Sequence, residues 1–100
     1  MKTTADRIIE VSDELRDTLL AKNSNYGDTA GESPILAPSL EPDVAIRVRM
    51  SDKISRLRTL LSGERDKVGE SLRDTYKDLA GYCLLMMIEI DKNGELGENG

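Results

Sequence analysis

The chain has no histidine, phenylalanine or tryptophan, and it has one cysteine among its 100 residues. Without histidine there is no histidine general base, no Ser-His or Cys-His nucleophile pair and no histidine-ligated metal. Cys83 has no second cysteine for an intramolecular disulfide. No secretory signal opens the sequence, so we expect a reducing, cytoplasmic location. The core has to be built from Leu, Ile, Val and Met.

Long apolar runs are also missing. Residues 79–90 contain one charged side chain, Glu89, and the run is far shorter than the roughly 20 residues of a membrane span. In a chain that is 33% charged, this run does not fit an ordinary surface helix, which has a single apolar stripe. We expect a second copy of the chain to cover it, in a homodimer or a higher even oligomer. The side chains buried between copies would be Leu84, Leu85, Met87 and Ile88.

Hydrophobic periodicity predicts an all-α fold, a bundle of three helices. The first helix is expected from Thr4 to Lys22, with Thr3 or Thr4 as its N-cap and Asn23 at its end. The second is expected over 42–62, with Gly63 after its end. The apolar stripes of these two helices are Ile8, Val11, Leu15 and Leu19, and Ile46, Met50, Ile54, Leu57 and Leu61.

The third helix is expected over 65–91, and a tight turn at 62–64 would join it to the second helix in a long antiparallel hairpin, with the first helix packed across both. Its coiled-coil-like seam consists of Val68, Leu72, Tyr76, Leu79, Cys83, Met86 and Ile90. The loop 23–41 is long enough to be functional, and it contains the buriable Tyr26, Ile35, Leu36 and Leu40. We expect a single helical domain over 1–92 and a flexible polar tail over 93–100.

Positive charge is concentrated in one part of this acidic chain. The net charge is −5, yet residues 44–58 contain Asp52 as the one acidic side chain against five basic ones. A rotation of about 100° per residue places Arg49, Lys53 and Arg56 together on one flank of the second apolar stripe. These cations either pair with acidic neighbours or form an anion site for a phosphorylated ligand. The acidic total argues against a duplex-DNA footprint.

Glu70, Asp74 and Asp78 are four residues apart, so they stack along one side of the third helix. Stacked carboxylates need a cation nearby, either basic side chains or a divalent metal. Magnesium would suit ligation by oxygen atoms alone. The alternative is ion pairing with Arg73, Lys77 and an arginine of the second helix.

Other candidate residues also have two interpretations each. Tyr26, followed by Gly27, is either a stacking surface for a base, with the glycine letting the backbone approach, or a turn with a buried ring. Asp52 and Arg56 are four residues apart and could form an ordinary intrahelical ion pair. Cys83 has no activating neighbour in sequence, which indicates core packing.

Three segments resemble a known family: KNSNYGD at 22–28, DKISRL at 52–57 and ESLRDTYKDLAGY at 70–82. They are similar to the nucleotide modification associated domain, first type, a small helical family common in phages and prophages. The resemblance implies an all-helical fold and a link to nucleotides. Carried over by position, it implies roles for Lys22, Asn25, Tyr26, Gly27, Asp52, Lys53, Arg56, Glu70, Asp74 and Asp78.

Three functions are open, and we favour the first. It is a phage-type protein that sequesters a small phosphorylated nucleotide, such as a cyclic dinucleotide immune signal, without chemistry and without a cofactor, similar to small viral helical oligomers. Arg49, Lys53, Arg56 and Lys22 would receive phosphates, and Tyr26 would stack on a base. A twofold-symmetric ligand would suit a pocket at a twofold interface.

The second function is a magnesium-dependent, all-α nucleoside triphosphate pyrophosphatase. Those enzymes hold magnesium with a Glu-x-x-Glu on one helix and a Glu-x-x-Asp on the next, whereas Glu70 and Asp74 are four residues apart here. The third is a structural or interaction protein that binds no ligand.

Overall fold

The computed structural model describes residues 1–25, 27, 31–63 and 71–95. It has three helices in chain order: α1 (Thr4–Asn25), α2 (Pro42–Leu61) and α3 (Leu72–Glu95). The described ranges contain no strand, which confirms the predicted all-helical fold. The chain divides into two compact units, Met1–Ala30 and Gly31–Gly100. None of the helices, over these same ranges, is long and apolar enough to cross a membrane.

α1 begins where the sequence predicts. The Thr3 N–H donates to Asp6 Oδ2 at 2.9 Å, and the Asp6 N–H donates to Thr3 Oγ1 at 3.1 Å. This reciprocal pair satisfies backbone donors that the first turn of a helix leaves without intrahelical partners. Of the predicted apolar stripe, Leu15 and Leu19 are half-buried, whereas Ile8 and Val11 are exposed.

The predicted end of α1 at Asn23 is wrong, because the helix continues to Asn25. Gly27 supplies the left-handed backbone that follows the helix, with φ +68°, and its N–H donates to the Ser24 carbonyl at 3.3 Å. Glycine takes this conformation without the steric penalty that asparagine pays. The chain therefore adds almost one turn before it leaves the helix.

α2 begins at the predicted Pro42 and ends at Leu61, one residue before the predicted end at 62. Pro42 lies in its first turn, where a missing N–H leaves no hydrogen bond unmade, and Gly63 follows its end with φ +90°. The turn itself is closed by the Ser62 and Gly63 N–H groups, which donate to the Arg58, Thr59 and Leu60 carbonyls. Glu64, the last residue of the predicted tight turn, lies outside the described residues.

α3 begins at Leu72, and the predicted start at Arg65 is wrong for a continuous helix, because Ser71 is not helical. Ser71 is instead the N-cap: its Oγ accepts a hydrogen bond from the Asp74 N–H at 3.0 Å. The helix also runs past the predicted end at Asp91 to Glu95. Val68, placed on the predicted seam, lies outside the described residues, as do positions 96–100 of the predicted tail.

α2 packs against α3 through a face that includes small and polar residues. Ala45 and Ile46 are the buried apolar residues of the described ranges, with 6% and 1% exposure. On α3, Thr75 is fully buried, and its Oγ1 donates to the Ser71 carbonyl at 3.0 Å. Short side chains let two helix axes approach closely. Apolar burial between α2 and α3 is consequently small within the described residues.

The packed faces are rotated away from the predicted apolar stripes. On α2 the packed face takes in Lys53 and Arg56, while Ile54 and Leu61 are 48% and 63% exposed. On α3 the predicted seam is wrong at four positions, because its side chains are exposed there. These positions are Leu72, Tyr76, Cys83 and Ile90. The expected core packing of Cys83 is therefore corrected. Each apolar stripe therefore lies only partly within the helix contact, because Ile46 is buried and Leu57 and Met86 are half-buried while the positions named above are exposed.

The loop before α2 has an ordered segment of two successive turns. The Ala37 N–H donates to the Pro34 carbonyl at 3.1 Å, and the Leu40 N–H donates to the Ala37 carbonyl at 3.0 Å. Leu40 is half-buried, as predicted for an apolar side chain of this loop. Ile35 and Leu36 are not buried against the helices: they are 93% and 98% exposed at the tip of the first turn.

Candidate functional site

The basic side of α2 is the first part of the candidate site. Arg49 is exposed, and one helical turn later Lys53 and Arg56 are half-buried. All three lie toward the side of α2 that packs against α3, since positions three and four apart share a helix face. The predicted clustering of the three cations on one face follows from the intact helix. Pairing of this face with acidic residues of α3 was one of the two predicted interpretations.

Lys53 connects this face to α3. Its Nζ lies 2.9 Å from Oδ2 of Asp78, and the two side chains are 21% and 26% exposed. The sequence offered two interpretations of the acidic stack, ion pairing or metal binding, and at Asp78 the structure shows ion pairing. The partner is a lysine of the second helix and not the expected arginine. Partial removal from water makes this pair stronger than an ion pair on the open surface.

Arg49 differs from the other basic residues of α2. Neither Arg49 nor Asp52 makes an ion pair or a side-chain hydrogen bond with any other residue of the described ranges. The expected intrahelical pair of Asp52 with Arg56 is therefore not formed. An exposed guanidinium with its five N–H donors open is suited to bidentate binding of a phosphate.

The opposite flank of α2 contains a matched arginine that is already paired. The Arg47 guanidinium donates to Asp43 Oδ2 at 2.8 Å, one turn earlier on the helix. Arg47 and Arg49 are both exposed and two residues apart, but only Arg47 has an acidic partner within the described residues. Arg47 is therefore held by Asp43, whereas the exposed guanidinium of Arg49 has room to bind a ligand.

The other predicted binding residues belong to the unit Met1–Ala30. Lys22 and Asn25 lie in the last turns of α1, and Gly27 follows with its positive φ. Tyr26, the predicted stacking residue, lies outside the described residues. The left-handed backbone at Gly27 turns the chain away from the helix, as the Tyr-Gly pair predicts for a turn.

The candidate metal ligands are only partly described. Glu70 lies outside the described residues, Asp74 is exposed in the first turn of α3, and Asp78 is paired with Lys53. Within the described ranges, no three acidic or cysteine side chains are close enough together to hold a metal ion. Asp74 has a different local role, because its backbone N–H completes the Ser71 cap.

Two residues of the α3 face were not found from the sequence. Thr75 is fully buried, and Glu89 is 13% exposed and accepts a hydrogen bond from Lys92 Nζ at 3.2 Å. A Cβ on Gly31 would lie 3.1 Å from Glu89 Oε1, so the loop passes close to this pair. The available signal was the three-and-four spacing of residues 75, 78, 82, 85 and 89. A search for apolar periodicity misses this spacing, because Thr75, Asp78 and Glu89 are polar.

The sequence of the chain also matches a known protein family. Residues 22–90 match the family model described as nucleotide modification associated domain 1. The chain belongs to this family. All the predicted binding residues of this family member, from Lys22 to Asp78, lie inside the matched segment, which also spans α2 and most of α3. No curated protein and no solved structure matches the chain.

Proposed function

We propose that this member of the nucleotide modification associated domain 1 family binds a small phosphorylated nucleotide and releases it unchanged. The ligand class is a cyclic dinucleotide, and the role is that of a phage protein that sequesters an immune signal in the host cytoplasm. The observation that supports this best is Arg49, exposed and without a partner in the described ranges, one turn before Lys53. A charge-assisted hydrogen bond to such a group contributes about 1.5–3 kcal/mol.

The proposal gives each residue of the site a chemical task. Arg49 binds one phosphate bidentately, and Lys53, positioned by Asp78, receives a second anion beside the first. Within Gly31–Gly100, Arg56 adds positive charge and the exposed Asp52 supplies a hydrogen-bonding group for the base edge. For Lys22, Asn25, Tyr26 and Gly27, in the unit Met1–Ala30, the proposed tasks are those the sequence predicts: Lys22 as a phosphate-binding cation, Tyr26 as a stacking surface, and Asn25 and Gly27 as binding residues beside it. The chemistry requires no cofactor.

The proposed assembly is a homodimer or a higher even oligomer built on an antiparallel hairpin of α2 and α3. The short connection between Leu61 and Ser71 favours antiparallel helices. Contact between copies through the C-terminal helix is supported by the exposure of Leu84, Met87 and Ile88, at 38%, 65% and 43%, while Leu85 is half-buried. A near-symmetric cyclic dinucleotide matches a site repeated about a twofold axis.

Calorimetry with a panel of cyclic dinucleotides and nucleoside triphosphates tests the function. We expect saturable binding that persists in EDTA, with the ligand recovered intact by chromatography. Arg49→Ala should weaken binding at least about tenfold, whereas Arg47→Ala, the matched change at a paired arginine, should leave it within about twofold. Arg49→Lys should restore only part of the affinity, because an ammonium cannot replace the guanidinium fork.

Two results would replace the proposal. Triphosphate hydrolysis that needs magnesium, and that Glu70→Gln or Asp74→Asn abolishes, would establish the pyrophosphatase. Failure of every nucleotide to bind would leave the basic face of α2 as a structural partner of α3 and the chain as an interaction protein.

A further inference from the structure

One side of the α2–α3 hairpin carries exposed apolar residues from both helices. The exposed fractions run from 40% to 65%, and the residues are Ile54, Leu61, Leu72, Tyr76, Met87 and Ile90. Cys83 is exposed among them on α3. At about 100° per residue, these side chains lie roughly 90–150° round each helix from its packed face, in the same rotational sense. In an antiparallel hairpin that sense places both stripes on one side, which we call the apolar face.

We propose that the apolar face is where a second copy of this chain docks, with the two α3 helices antiparallel across a twofold axis near Gly81 and Tyr82. This inference rests on the proposed antiparallel hairpin and self-association, and it does not depend on the nucleotide. It keeps Met87 from the proposed contact through α3 and adds Ile54 and Leu61 of α2 to it.

The sequence of α3 is self-complementary about that axis. Reversal about a point between residues 81 and 82 places Tyr76 opposite the partner copy's position 87, and Leu72 close to position 90. Arg73 and Asp91, both exposed at the border of the face, fall within one residue of each other in the same alignment. Opposite charges at the border and apolar side chains at the centre are the usual anatomy of an interface.

The available area agrees with a dimer. With roughly 200 Å² for a large apolar or aromatic residue, the exposed fractions of these six residues give about 600 Å² per copy, or about 1,200 Å² for two. That value reaches the lower end of stable, specific interfaces, about 1,200–2,000 Å². The α3 part of the apolar face, from Leu72 to Ile90, contains no charged side chain, whereas on α2 the exposed Arg58 lies between Ile54 and Leu61 and borders the contact.

A second copy would also bury apolar surface that the small core between α2 and α3 leaves exposed. Ala45 and Ile46 are the buried apolar residues in the described ranges, whereas six large apolar residues of the apolar face are exposed. A chain with so little internal burial gains stability from a partner that is present whenever the chain is made. A second copy meets that condition. The α3 sequence is self-complementary when the helix is reversed, and this suits an isologous contact.

Sedimentation of the full chain without nucleotide gives the first test. We expect twice the chain mass, or an even multiple of it, at about 10 µM, and a monomer would overturn the proposal. Ile54→Lys should raise the dimer dissociation constant at least about tenfold. Val48→Lys is the matched control, since Val48 is 52% exposed on the other side of α2, and it should change the constant less than about twofold. Equal effects of the two variants would overturn the two-helix face.

Two further measurements identify the register, and they avoid placing a charge at an apolar position that the fold needs. In the unaltered chain, a short bis-maleimide should link Cys83 to the partner copy's cysteine, because both lie close to the axis, and Cys83→Ser should abolish the product. Arg73→Glu and Asp91→Arg should each weaken the dimer about fivefold, and the double charge reversal should restore it to within about twofold. No cross-link in a dimer of the right mass, or no rescue, would overturn the register. Because no nucleotide is present, failure here is separate from failure of ligand binding.

Discussion

Lys53 of α2 and Asp78 of α3 form an ion pair between the two helices, with Nζ 2.9 Å from Oδ2 and about three-quarters of each side chain out of contact with water. The pair places a positive charge inside the helix contact, at a position that the apolar pattern of α2 assigns to a flank. Its presence links the candidate binding face to the stability of the fold, so the two roles of Lys53 have to be separated by measurement.

A double-mutant cycle on this pair tests its contribution to stability. We expect Lys53→Met and Asp78→Asn each to lower the free energy of unfolding by about 1–2 kcal/mol, with a coupling of about 1 kcal/mol between them, because each change leaves a partly desolvated polar group. Urea denaturation followed by circular dichroism gives these values. The control cycle is Arg47→Met with Asp43→Asn, an exposed pair one turn apart, for which coupling should be about 0.3–0.5 kcal/mol. Equal couplings would show that burial adds nothing at Lys53.

Two glycines should respond oppositely to substitution by alanine. Gly63 has φ +90°, a conformation in which a side chain is strained, so Gly63→Ala should destabilise the protein by about 1–2 kcal/mol. At Gly31 the nearest atoms to an added Cβ are Lys92 Nζ at 2.6 Å and Glu89 Oε1 at 3.1 Å, both at the ends of flexible side chains. Gly31→Ala should therefore change stability by less than about 0.5 kcal/mol, since those ends can move and the unfolded chain loses freedom. Thermal and urea unfolding compare the two, and a larger loss at Gly31 would contradict the stated packing.

The capping pair at the start of α1 predicts a pH dependence. The backbone N–H of Thr3 donates to the Asp6 carboxylate, and the Thr3 side chain adds a second hydrogen bond, so the pKa of Asp6 lies below its usual value of 3.8. Because the folded-state pKa is below the unfolded one, the contribution of Asp6 to helix stability is complete above about pH 4. It is lost as the pH falls through the lowered pKa.

Carboxyl carbon NMR across an acid titration measures the pKa of Asp6 directly. Thr3→Ala should raise this pKa only part of the way, because the backbone N–H remains, and Thr3→Ser should leave it low. A pKa of Asp6 that is unchanged in Thr3→Ala would assign the whole effect to the backbone hydrogen bond.

Much of the local structure is predictable from the sequence because its causes are local. Thr3 with Asp6, Pro42 and Gly63 mark helix ends through hydrogen bonds and dihedral angles that involve neighbouring residues. The errors in helix limits have the same local origin. Gly27 is a better left-handed residue than Asn23, and Ser71 is a better cap than any residue near Arg65. The sequence contained both signals, and they were outweighed by apolar periodicity.

The candidate site could be predicted only as a set of residues on helices. Periodicity places Arg49, Lys53 and Arg56 on one face of α2, and the structure keeps them there. Which of them is paired depends on α3, since Asp78 is 25 residues from Lys53 in sequence. The difference between Arg49 and Arg47, on which the ligand-binding test depends, likewise requires coordinates.

By itself, then, the sequence determined three helices, the starts of α1 and α2, the end of α2 to within one residue and an apolar stripe on each helix, because helix period and capping are properties of short segments. The tertiary structure decided which sides of α2 and α3 meet. The contact uses Ala45, Ile46, Thr75 and the Lys53–Asp78 pair, and it leaves Ile54, Tyr76 and Met87 exposed. A stripe records which side of a helix gains by leaving water, and it does not record which neighbour covers that side.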